Sequence, residues 1–418
     1  MRSGLGLRLS RRTRSRAAAL LVPLVMVAAG CRHRGAAWAD PAGPVPGAAG
    51  VEIIVIGQAR ESRQTRQVAH ALEVVLADAA AAGRTPIVAW LGTDLGRPGP
   101  DRAAPCPAPG AAHAGPVLTE LARVIRSSGA GIWGLPGPDG WRCGTTGFEA
   151  RATPLPYAQP GVAYVVRVSE AGEAALVSSC DLDACTIAPP ADDTLIELVA
   201  LDFSFWHYPA LAGEDLSAAV LAQQAALLDA LAAQPARPRV LLSPIPVESA
   251  GAHGVGGRLQ RAGYRYLPKF VQEALADGLF VGVVGALERN LQVSEDLSNA
   301  IYRSARTFVA KPIFEVVSGS AGGAKPTPRT SRGDTLLPDL ESEHVGFARV
   351  IVADERVYLR VHARVAGRWR VAGIELPLVP APLPNLREPP TIQPCHSCDP
   401  TRGAADGDVD IPRGPRPR

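Results

Sequence analysis

The sequence predicts an α/β protein in which two stacked mixed β-sheets are flanked by helices. Short apolar, β-branched segments such as residues 51–57 (VEIIVIG) are typical of buried parallel strands. Helical patterns, as at residues 61–82, separate the first strands. Residues 346–353 and 356–363 alternate apolar and polar side chains, which predicts a closing hairpin. Strand–helix alternation followed by antiparallel strands indicates a four-layer αββα sandwich.

The elements follow each other at regular intervals along the chain. Each predicted strand is a short apolar segment, and each predicted helix has one apolar face. Strands are predicted at residues 51–57, 86–91, 131–135, 162–168, 195–203, 239–242, 279–284, 308–317, 346–353, 356–363 and 369–376. Helices are predicted at residues 61–82, 117–127 and 216–233. Together they predict one domain over residues 51–382.

The charge balance argues against a nucleic-acid binder. The chain has 43 Lys and Arg residues against 40 Asp and Glu residues, but six of the arginines precede residue 31. Without those six, 37 of the 43 basic groups face 40 acidic groups, so the body of the protein is slightly acidic. A nucleic-acid binder needs a basic face, and we therefore expect no nucleic-acid partner.

Residues 1–30 predict an export signal that leads to a lipid attachment site. The arginines are followed by residues 17–30, an apolar stretch too short to span a bilayer. It ends in Ala-Ala-Gly before Cys31, which resembles the lipobox of bacterial lipoproteins, although Ala28 stands where leucine is commoner. In that family the cysteine is acylated and becomes the N-terminus. The alternative is an ordinary cleaved signal with a chance cysteine.

The lipobox resemblance implies a location in the cell envelope, anchored to a bacterial membrane through the lipid on Cys31. Arg32 follows the cysteine instead of the aspartate that often marks inner-membrane retention, which favours the outer membrane. Residues 31–50 are rich in Ala, Gly and Pro and predict a tether. At the other end, residues 383–418 predict a Pro- and Arg-rich tail.

Six further cysteines predict disulfides in an exported protein, with 15 possible pairings. Local pairing is the simplest arrangement and joins Cys180 to Cys185, Cys395 to Cys398, and Cys106 to Cys143. The alternative for the Cys-His-Ser-Cys segment is a metal site, but the segment offers at most three local ligands and no second cysteine pair.

Five loops that follow predicted strands carry a recognisable order of motifs. They are IVIGQA (54–59), LGTDLGRPG (91–99), LPGPDGW (135–141), LLSPIPVESAGAHG (241–254) and GALERNLQ (285–292). They resemble the motif loops of the calcineurin-like metallophosphoesterase family, and within it the purple-acid-phosphatase-like branch. The glycine-rich segment SGSAGGAKP (318–326) also has a counterpart in that branch. The resemblance covers residues 51 to about 330 and implies the family's four-layer fold.

Members of that family hold two divalent metal ions, which polarise a phosphoryl group and generate a hydroxide nucleophile. In this chain the positions of the metal ligands carry other residue types. These are Gln58 for the first aspartate, Thr93 for the bridging aspartate, Gly96 for a tyrosine, Pro138 and Asp139 for asparagine and histidine, Pro244 for the fourth-loop histidine, and Leu287 and Arg289 for the two fifth-loop histidines. Leucine and proline side chains have no lone pairs, and arginine brings a positive charge. We therefore expect no metal cofactor.

Some polar side chains remain at these loops, and two interpretations of them stay open. One is a single Mg²⁺ or Ca²⁺ site formed by Asp94, Asp139 and Glu288. The other, which we favour, is that Glu288 and Arg289 are neighbours in a solvated loop and that the aspartates are turn residues. A cage of oxygen ligands needs more donors than these three.

His253 lies in Gly-Ala-His-Gly, at a position that is near the pocket in the resembling family. It could bind an anion together with Arg289. A partly buried histidine that is satisfied by a backbone carbonyl is the commoner case.

The sequence therefore predicts a membrane-anchored lipoprotein with a phosphoesterase fold that has lost its metals and its hydrolase activity. Its expected role is to bind a small ligand or an envelope protein. The alternative is an atypical metal-dependent phosphoesterase that uses the residual acids.

Overall fold

The computed structural model describes most of the predicted domain. The described residues are 50–93, 115–138, 160–180, 184–207, 214–249, 267–298, 301, 308–324 and 340–379. Within these ranges, no helix has both the length and the apolar composition that crossing a bilayer requires. The export signal, the tether and the tail all lie outside the described residues.

Strands and helices alternate through the first half of the chain, and strands predominate in the second. In chain order they are β1 (Val51–Ala59), α1 (Arg63–Ala81), β2 (Thr85–Thr93), α2 (Pro116–Ser127), β3 (Gly131–Leu135), β4 (Ala163–Ser169), β5 (Ala174–Leu176), β6 (Ser178–Cys180), β7 (Cys185–Ile187), β8 (Thr194–Leu201), α3 (Ser204–His207), α4 (Glu214–Ala232), β9 (Arg239–Leu242), α5 (Lys269–Ala276), β10 (Gly282–Gly285), β11 (Leu291–Ser294), β12 (Phe314–Ser318), β13 (Leu340–Ser342), β14 (Gly346–Ala353), β15 (Arg356–Val365) and β16 (Arg368–Pro377).

Two mixed sheets contain nearly all of these strands. The first, sheet A, has the strand order β16–β15–β14–β1–β2–β3, with β1, β2 and β3 parallel and β14, β15 and β16 antiparallel. The second, sheet B, has the order β13–β11–β12–β10–β9–β8–β4–β5, with β8, β9, β10 and β12 parallel. β6 and β7 form a separate two-stranded ribbon. The predicted fold class is confirmed.

The alternation of side chains along β1 separates two hydrophobic cores. Ile53 and Val55 belong to a buried cluster that also contains Leu198 and Val284, and so fills the space between the sheets. Ile54 points to the opposite face and packs in a cluster with residues of α1 and α2. Because a strand places successive side chains on opposite faces, a wholly apolar β1 is buried from both sides.

Helices cover the outer faces of both sheets. Leu72 of α1 and Leu121 of α2 are fully buried against sheet A. On the sheet B side, Leu227 of α4 and Leu275 of α5 are fully buried. Together these helices supply the two outer layers of the predicted αββα arrangement.

Most predicted elements agree with the observed ones, and the exceptions have a physical reason. The strand predicted at residues 308–317 begins only at Phe314, because the preceding segment contains Pro312 and the Ala310 amide bonds to the Ala276 carbonyl at the end of α5. The helices α3 and α5 and the short strands β5, β6, β7, β11 and β13 were not predicted.

The predicted hairpin between β14 and β15 is confirmed. Asp354 and Glu355 occupy the turn, with φ angles of 52° and 57°. Two consecutive left-handed residues are typical of the tight turn that suits the twist of paired strands.

One of the three predicted disulfides lies in the described residues and is confirmed. Cys180 and Cys185 are bonded and close the ribbon of β6 and β7. Cys106, Cys143, Cys395 and Cys398 lie outside the described residues, so their pairing stays a prediction.

Candidate functional site

The loops that follow β2, β3 and β9 meet at one edge of the sandwich. A methyl group placed on Gly137, after β3, would lie 3.0 Å from the Pro244 Cβ, after β9, and 3.1 Å from the Gly92 Cα. Gly137 also has a φ angle of 71°, which side-chain-bearing residues rarely adopt. This glycine therefore allows loops from both sheets to touch.

The loops that follow β1, β10 and β12 meet at the same edge. A methyl group on Gly57 would lie 1.8 Å from the Ser318 carbonyl oxygen and 2.4 Å from the Ala286 Cβ. A methyl group on Gly319 would lie 1.3 Å from the Glu288 carbonyl oxygen. No side chain fits at either position, so these three loops pack backbone against backbone. The structure brings all the described motif loops together.

Gln58 occupies the first predicted ligand position in an unusual conformation. Its φ angle is 55°, and the residue is 7% exposed. Its amide nitrogen would lie 2.6 Å from a methyl group on Gly92, so the side chain lies against the loop after β2. The Gln58 side chain therefore occupies space between two of the converging loops, and as an amide it is a weak metal donor.

The other predicted site residues fall into two groups. Within the described residues, Pro138 and Arg289 are half-buried, whereas Pro244, Leu287 and Glu288 are buried. Thr93 is the last residue of β2 and its backbone pairs with Ala59. Asp94, Asp139 and His253 lie outside the described residues, as does Gly96.

The interpretation of Glu288 as a residue of a solvated loop is wrong. Glu288 is fully buried, and Leu287 beside it is 7% exposed. The main chain of this segment is packed closely as well, since a methyl group on Gly319 would lie 1.3 Å from the Glu288 carbonyl oxygen. Arg289, next in the chain, does remain half-buried.

Asp202 is a buried acid at this edge that the sequence analysis did not identify. It follows β8 directly, and its carboxylate accepts the backbone N–H groups of Gly137 (3.2 Å) and Ser204 (2.9 Å), as well as the Ser204 hydroxyl. Gln224 of α4 donates to the Asp202 carbonyl at 2.9 Å. An acid immediately after an apolar strand was the available signal. The carboxylate fixes the loop after β3.

Glu315 does the same for the loop after β9. It lies on β12, is 2% exposed, and accepts the N–H groups of Val247 (2.7 Å) and Glu248 (3.2 Å). Burial raises the pKa of the Glu315 carboxyl well above its usual value, which favours the protonated form. A single acid inside the apolar strand FEVVS was the sequence signal.

The glycine-rich segment is tied to the loop after β1. Arg60 donates from its Nε to the Gly322 carbonyl at 2.6 Å, and the Ser62 hydroxyl donates to the same oxygen at 3.1 Å. Ser62 also caps α1 by accepting the Thr65 N–H at 3.1 Å. These bonds give the loop after β1 a defined position above β12.

Glu61 joins the same loop to the next helix. Its two carboxylate oxygens accept the N–H groups of Val117 (3.1 Å) and Leu118 (2.9 Å) in the first turn of α2. A carboxylate at a helix N-terminus satisfies otherwise unpaired N–H groups and interacts favourably with the helix dipole.

The described side chains at this edge do not fit a dinuclear metal centre. Five of the predicted ligand positions hold Gln58, Pro138, Pro244, Leu287 and Arg289, which provide one amide and no carboxylate or imidazole. Across the described ranges, no group of three or more His, Cys, Asp or Glu side chains could hold a metal ion. The carboxyl groups of Asp202 and Glu315 accept backbone N–H groups instead. These hydrogen bonds and glycine contacts hold the converging loops in place, so that the loops form a fixed surface at this edge.

No protein-family model and no curated protein matches the sequence. Among solved structures, the purple acid phosphatase PPD1 from yellow lupin (Lupinus luteus) seeds is similar over 80% of this chain and 55% of its own, with 12% identity and a TM-score of 0.43. The structure of PhoD is similar over 81% of this chain and 69% of its own, with 11% identity and a TM-score of 0.43. The chain thus spans about half the length of the lupin phosphatase. The fold class rests on the sheets described above.

Proposed function

We propose that this protein is a lipid-anchored envelope protein that binds a ligand or a protein partner with a metallophosphoesterase-like domain lacking the family's metals and hydrolase activity. The observation that carries the proposal is the contrast between backbone and side chains at the converging loops. Gly57, Gly137 and Gly319 allow a close approach that no larger residue would permit. The side chains on the same loops are poor metal ligands.

The donor chemistry supports the loss of the metals. Even the loss of one residue that orients a ligand typically lowers metal affinity by about 10- to 100-fold. Here Pro244 and Leu287 replace ligands outright, and Arg289 adds a positive charge at the position of another. A site changed at this many positions is not expected to hold two cations.

Metal content tests this proposal directly. We expect the purified protein to contain no stoichiometric divalent metal by elemental analysis, and p-nitrophenyl phosphate to be stable with it in the presence of Mn²⁺, Fe²⁺ or Zn²⁺. An Arg289→His variant is the matched comparison, because it restores one imidazole but not a complete site. Two tightly bound ions per chain in the unaltered protein would contradict the proposal.

The lipid anchor has a separate test. We expect the protein to be recovered with the membrane fraction and to incorporate radiolabelled palmitate, and a Cys31→Ala variant to lose both properties. Cys180→Ala is the control, because Cys180 forms a disulfide with Cys185 and has no role in attachment. Palmitate incorporation by the Cys31→Ala variant would rule out this residue as the acylation site.

The second candidate function is a phosphoesterase that uses one metal ion held by Asp94, Asp139 and Glu288. The complete burial of Glu288 at the converging loops favours keeping it, since a buried carboxylate is a costly feature. A metal-dependent rate that disappears in both Asp94→Ala and Asp139→Ala would support this candidate. Asp192→Ala, on the segment before β8, is the control for loss of a carboxylate.

A further inference from the structure

A cleft of about 690 Å³ lies at the edge of sheet B opposite the converging loops. It is bounded by the C-terminal part of α4, the segment leading to β9, and the C-terminal part of α5. Its volume is in the range of pockets that hold small molecules. Because β9 begins here and ends at the other edge, this cleft is independent of the site described above.

Apolar side chains from three elements line the cleft. Leu228 of α4 is 4% exposed, and Phe270 of α5 and Leu279 after α5 also contribute. A surface of this kind can bury the apolar side chains of a ligand and remove them from water.

One wall of the cleft has an excess of positive charge. Arg239 lines it, is 3% exposed, and binds Glu197 at 2.8 Å. The same Glu197 also binds Arg167 at 2.8 Å, so one carboxylate neutralises two guanidinium groups. Arg237 lies in the same wall and donates from one terminal nitrogen to the Thr194 carbonyl at 3.3 Å. This wall suits a carboxylate.

The opposite wall is acidic. Glu273 in the last turn of α5 and Asp277 directly after it both line the cleft, as does Asp229 in the last turn of α4. Helix C-termini carry a partial negative charge and favour basic residues, so acids there are locally unfavourable. Lys269 pairs with Glu273 at 3.1 Å, and Lys311, whose stem lies against Gly278, offsets part of the remaining charge. The wall suits an ammonium group.

Two polar atoms between these walls lack partners. The Arg237 Nε and the Gln234 Oε1 are buried, and neither has a hydrogen-bond partner. Gln234 uses its amide nitrogen to donate to the Ile187 carbonyl at 3.1 Å. The Arg237 guanidinium and the Gln234 amide, whose side chains line the cleft, therefore keep hydrogen-bonding capacity that the fold does not use.

We propose that this cleft binds a short peptide with free termini and apolar side chains. The peptide's carboxylate faces Arg237, its ammonium group faces Asp277, and its side chains rest on Leu228, Phe270 and Leu279. A peptide is favoured over a free amino acid because the cleft of about 690 Å³ is several times larger than one residue.

Isothermal titration of the full chain with trileucine tests the proposal. We expect trileucine to bind, free leucine to bind at least about tenfold more weakly, and N-acetyl-trileucine amide, which lacks both charges, to lose at least about tenfold in affinity. Arg237→Gln should weaken trileucine binding about tenfold, and Asp277→Asn about fivefold. Hydrogen exchange of the bound protein should show protection at residues 228–238 and 270–279.

Two controls keep the result interpretable. Asp277 is exposed and lies at a helix C-terminus, so Asp277→Asn should not disturb folding. Arg126→Gln, on α2 at the other side of the molecule, should leave trileucine binding unchanged. Absence of binding at about 1 mM trileucine, or equal binding of the blocked peptide, would overturn the proposal. Protection located at the converging loops would overturn it as well.

Discussion

Each sheet buries one glutamate between two arginines, and the two clusters are stabilised in different ways. In sheet A, Glu52 of β1 binds Arg84 at 3.0 Å and Arg349 at 2.6 Å. In sheet B, Glu197 of β8 binds Arg167 and Arg239, each at 2.8 Å. In each sheet, one arginine lies on the strand that pairs antiparallel with the glutamate's strand. The other arginine lies at the start of the strand that pairs parallel with it, or directly before that strand. The composition and the topology are the same.

Strand register explains why the clusters differ in their hydrogen bonds. Glu197 lies directly opposite Arg167 on β4 and opposite Arg239 on β9. Arg167 also donates to the carbonyls of Ala188 (3.0 Å) and Pro189 (2.8 Å). Direct opposition therefore leaves guanidinium groups in sheet B free to satisfy backbone carbonyls as well as the carboxylate.

In sheet A the geometry at Arg349 is diagonal and leaves this arginine with fewer partners. Arg349 is opposite Ile54, two residues along from Glu52. One terminal nitrogen of Arg349 lies 3.3 Å from the His362 Nε2, and the other is buried with no hydrogen-bond partner. Since arginine can only donate, His362 must be neutral and accept through Nε2. Its ring stacks on Phe347 at 4.7 Å.

The comparison shows that the same residue types can form two kinds of hydrogen-bond network. In a closed network the arginine donors have acceptors, and in an open network at least one buried donor has none. The sheet B cluster distributes its donors over a carboxylate and backbone carbonyls. In the sheet A cluster, Arg349 depends on Glu52 and on the neutral state of His362. A buried charge that loses its partner typically costs about 3–5 kcal/mol, so the open network is the more vulnerable one.

Removal of the shared carboxylate should have the largest effect. We expect Glu52→Gln to lower the free energy of unfolding by about 4 kcal/mol and Glu197→Gln by about 3 kcal/mol, because backbone carbonyls still pair with the sheet B arginines. Urea denaturation midpoints measure both. A larger loss for Glu197→Gln would reverse the comparison.

Removal of an arginine should show the opposite order. Arg167→Met breaks bonds to Glu197 and to two carbonyls, and should cost about 3 kcal/mol. Arg349→Met removes one ion pair and one buried unmatched N–H, and should cost about 1–2 kcal/mol. Equal losses of unfolding free energy in Arg167→Met and Arg349→Met would show that the unpaired nitrogen of Arg349 does not destabilise the fold.

Acid should weaken sheet A through His362. Burial, followed by the charges of Arg349 and Arg360, holds the pKa of His362 well below its usual value. The unfolded chain therefore takes up a proton near pH 6.5, whereas the buried His362 imidazole of the folded protein stays neutral. The free energy of unfolding consequently falls as the pH decreases below that point. Between pH 7 and pH 5 the free energy of unfolding should fall by about 2 kcal/mol because of His362. The His362→Gln variant should lack this part of the pH dependence.

Two other groups shape the same pH profile. Burial lowers the pKa of His207 to about 4, so His207 also destabilises the fold between about pH 6.5 and pH 4. Glu315, with its raised pKa, acts in the opposite direction, because its contribution to the stability of the fold is lost as the pH rises. Both are unchanged in His362→Gln, so the difference between the two proteins isolates His362. His70→Gln on the exposed face of α1 is the control for loss of an imidazole, and an equal slope in His362→Gln and the unaltered protein would contradict the prediction.

Among these variants, the loss of an exposed ion pair should lower the free energy of unfolding least. Arg123 donates to Glu120 through two nitrogens, at 2.8 Å and 2.7 Å, and both side chains are largely in solvent. Exposed pairs contribute little because water screens them. Glu120→Gln should leave the denaturation midpoint unchanged within error, and a measurable shift would call for a larger role of surface charge here.

The sequence predicted the layers well because apolar periodicity is a local property. The strands Gly131–Leu135 and Arg239–Leu242 match their predicted bounds, and the hairpin at Asp354 follows from alternation. The helix Lys269–Ala276 was missed because its apolar face, Val271 and Leu275, is too short to establish a period.

The site was predictable only in part, because its residues act through distant contacts. The loop motifs indicated which segments come together, and the packing at Gly57 and Gly137 agrees with that order. The roles of Asp202 and Glu315 depend on backbone N–H groups 65 and 68 residues away. No local pattern contains such a partner. The same reason explains the misplacement of Glu288 in solvent.

The glycine contacts at the converging loops have a consequence for protein engineering. At Gly57 and Gly319 the main chains of neighbouring loops are so close that these contacts do not depend on side chains. Side chains that neither pack at these contacts nor hold a loop by a hydrogen bond can then be exchanged while the backbone contacts remain. This edge is accordingly a starting point for installing a designed catalyst, with the half-buried Arg289 as the first position to replace.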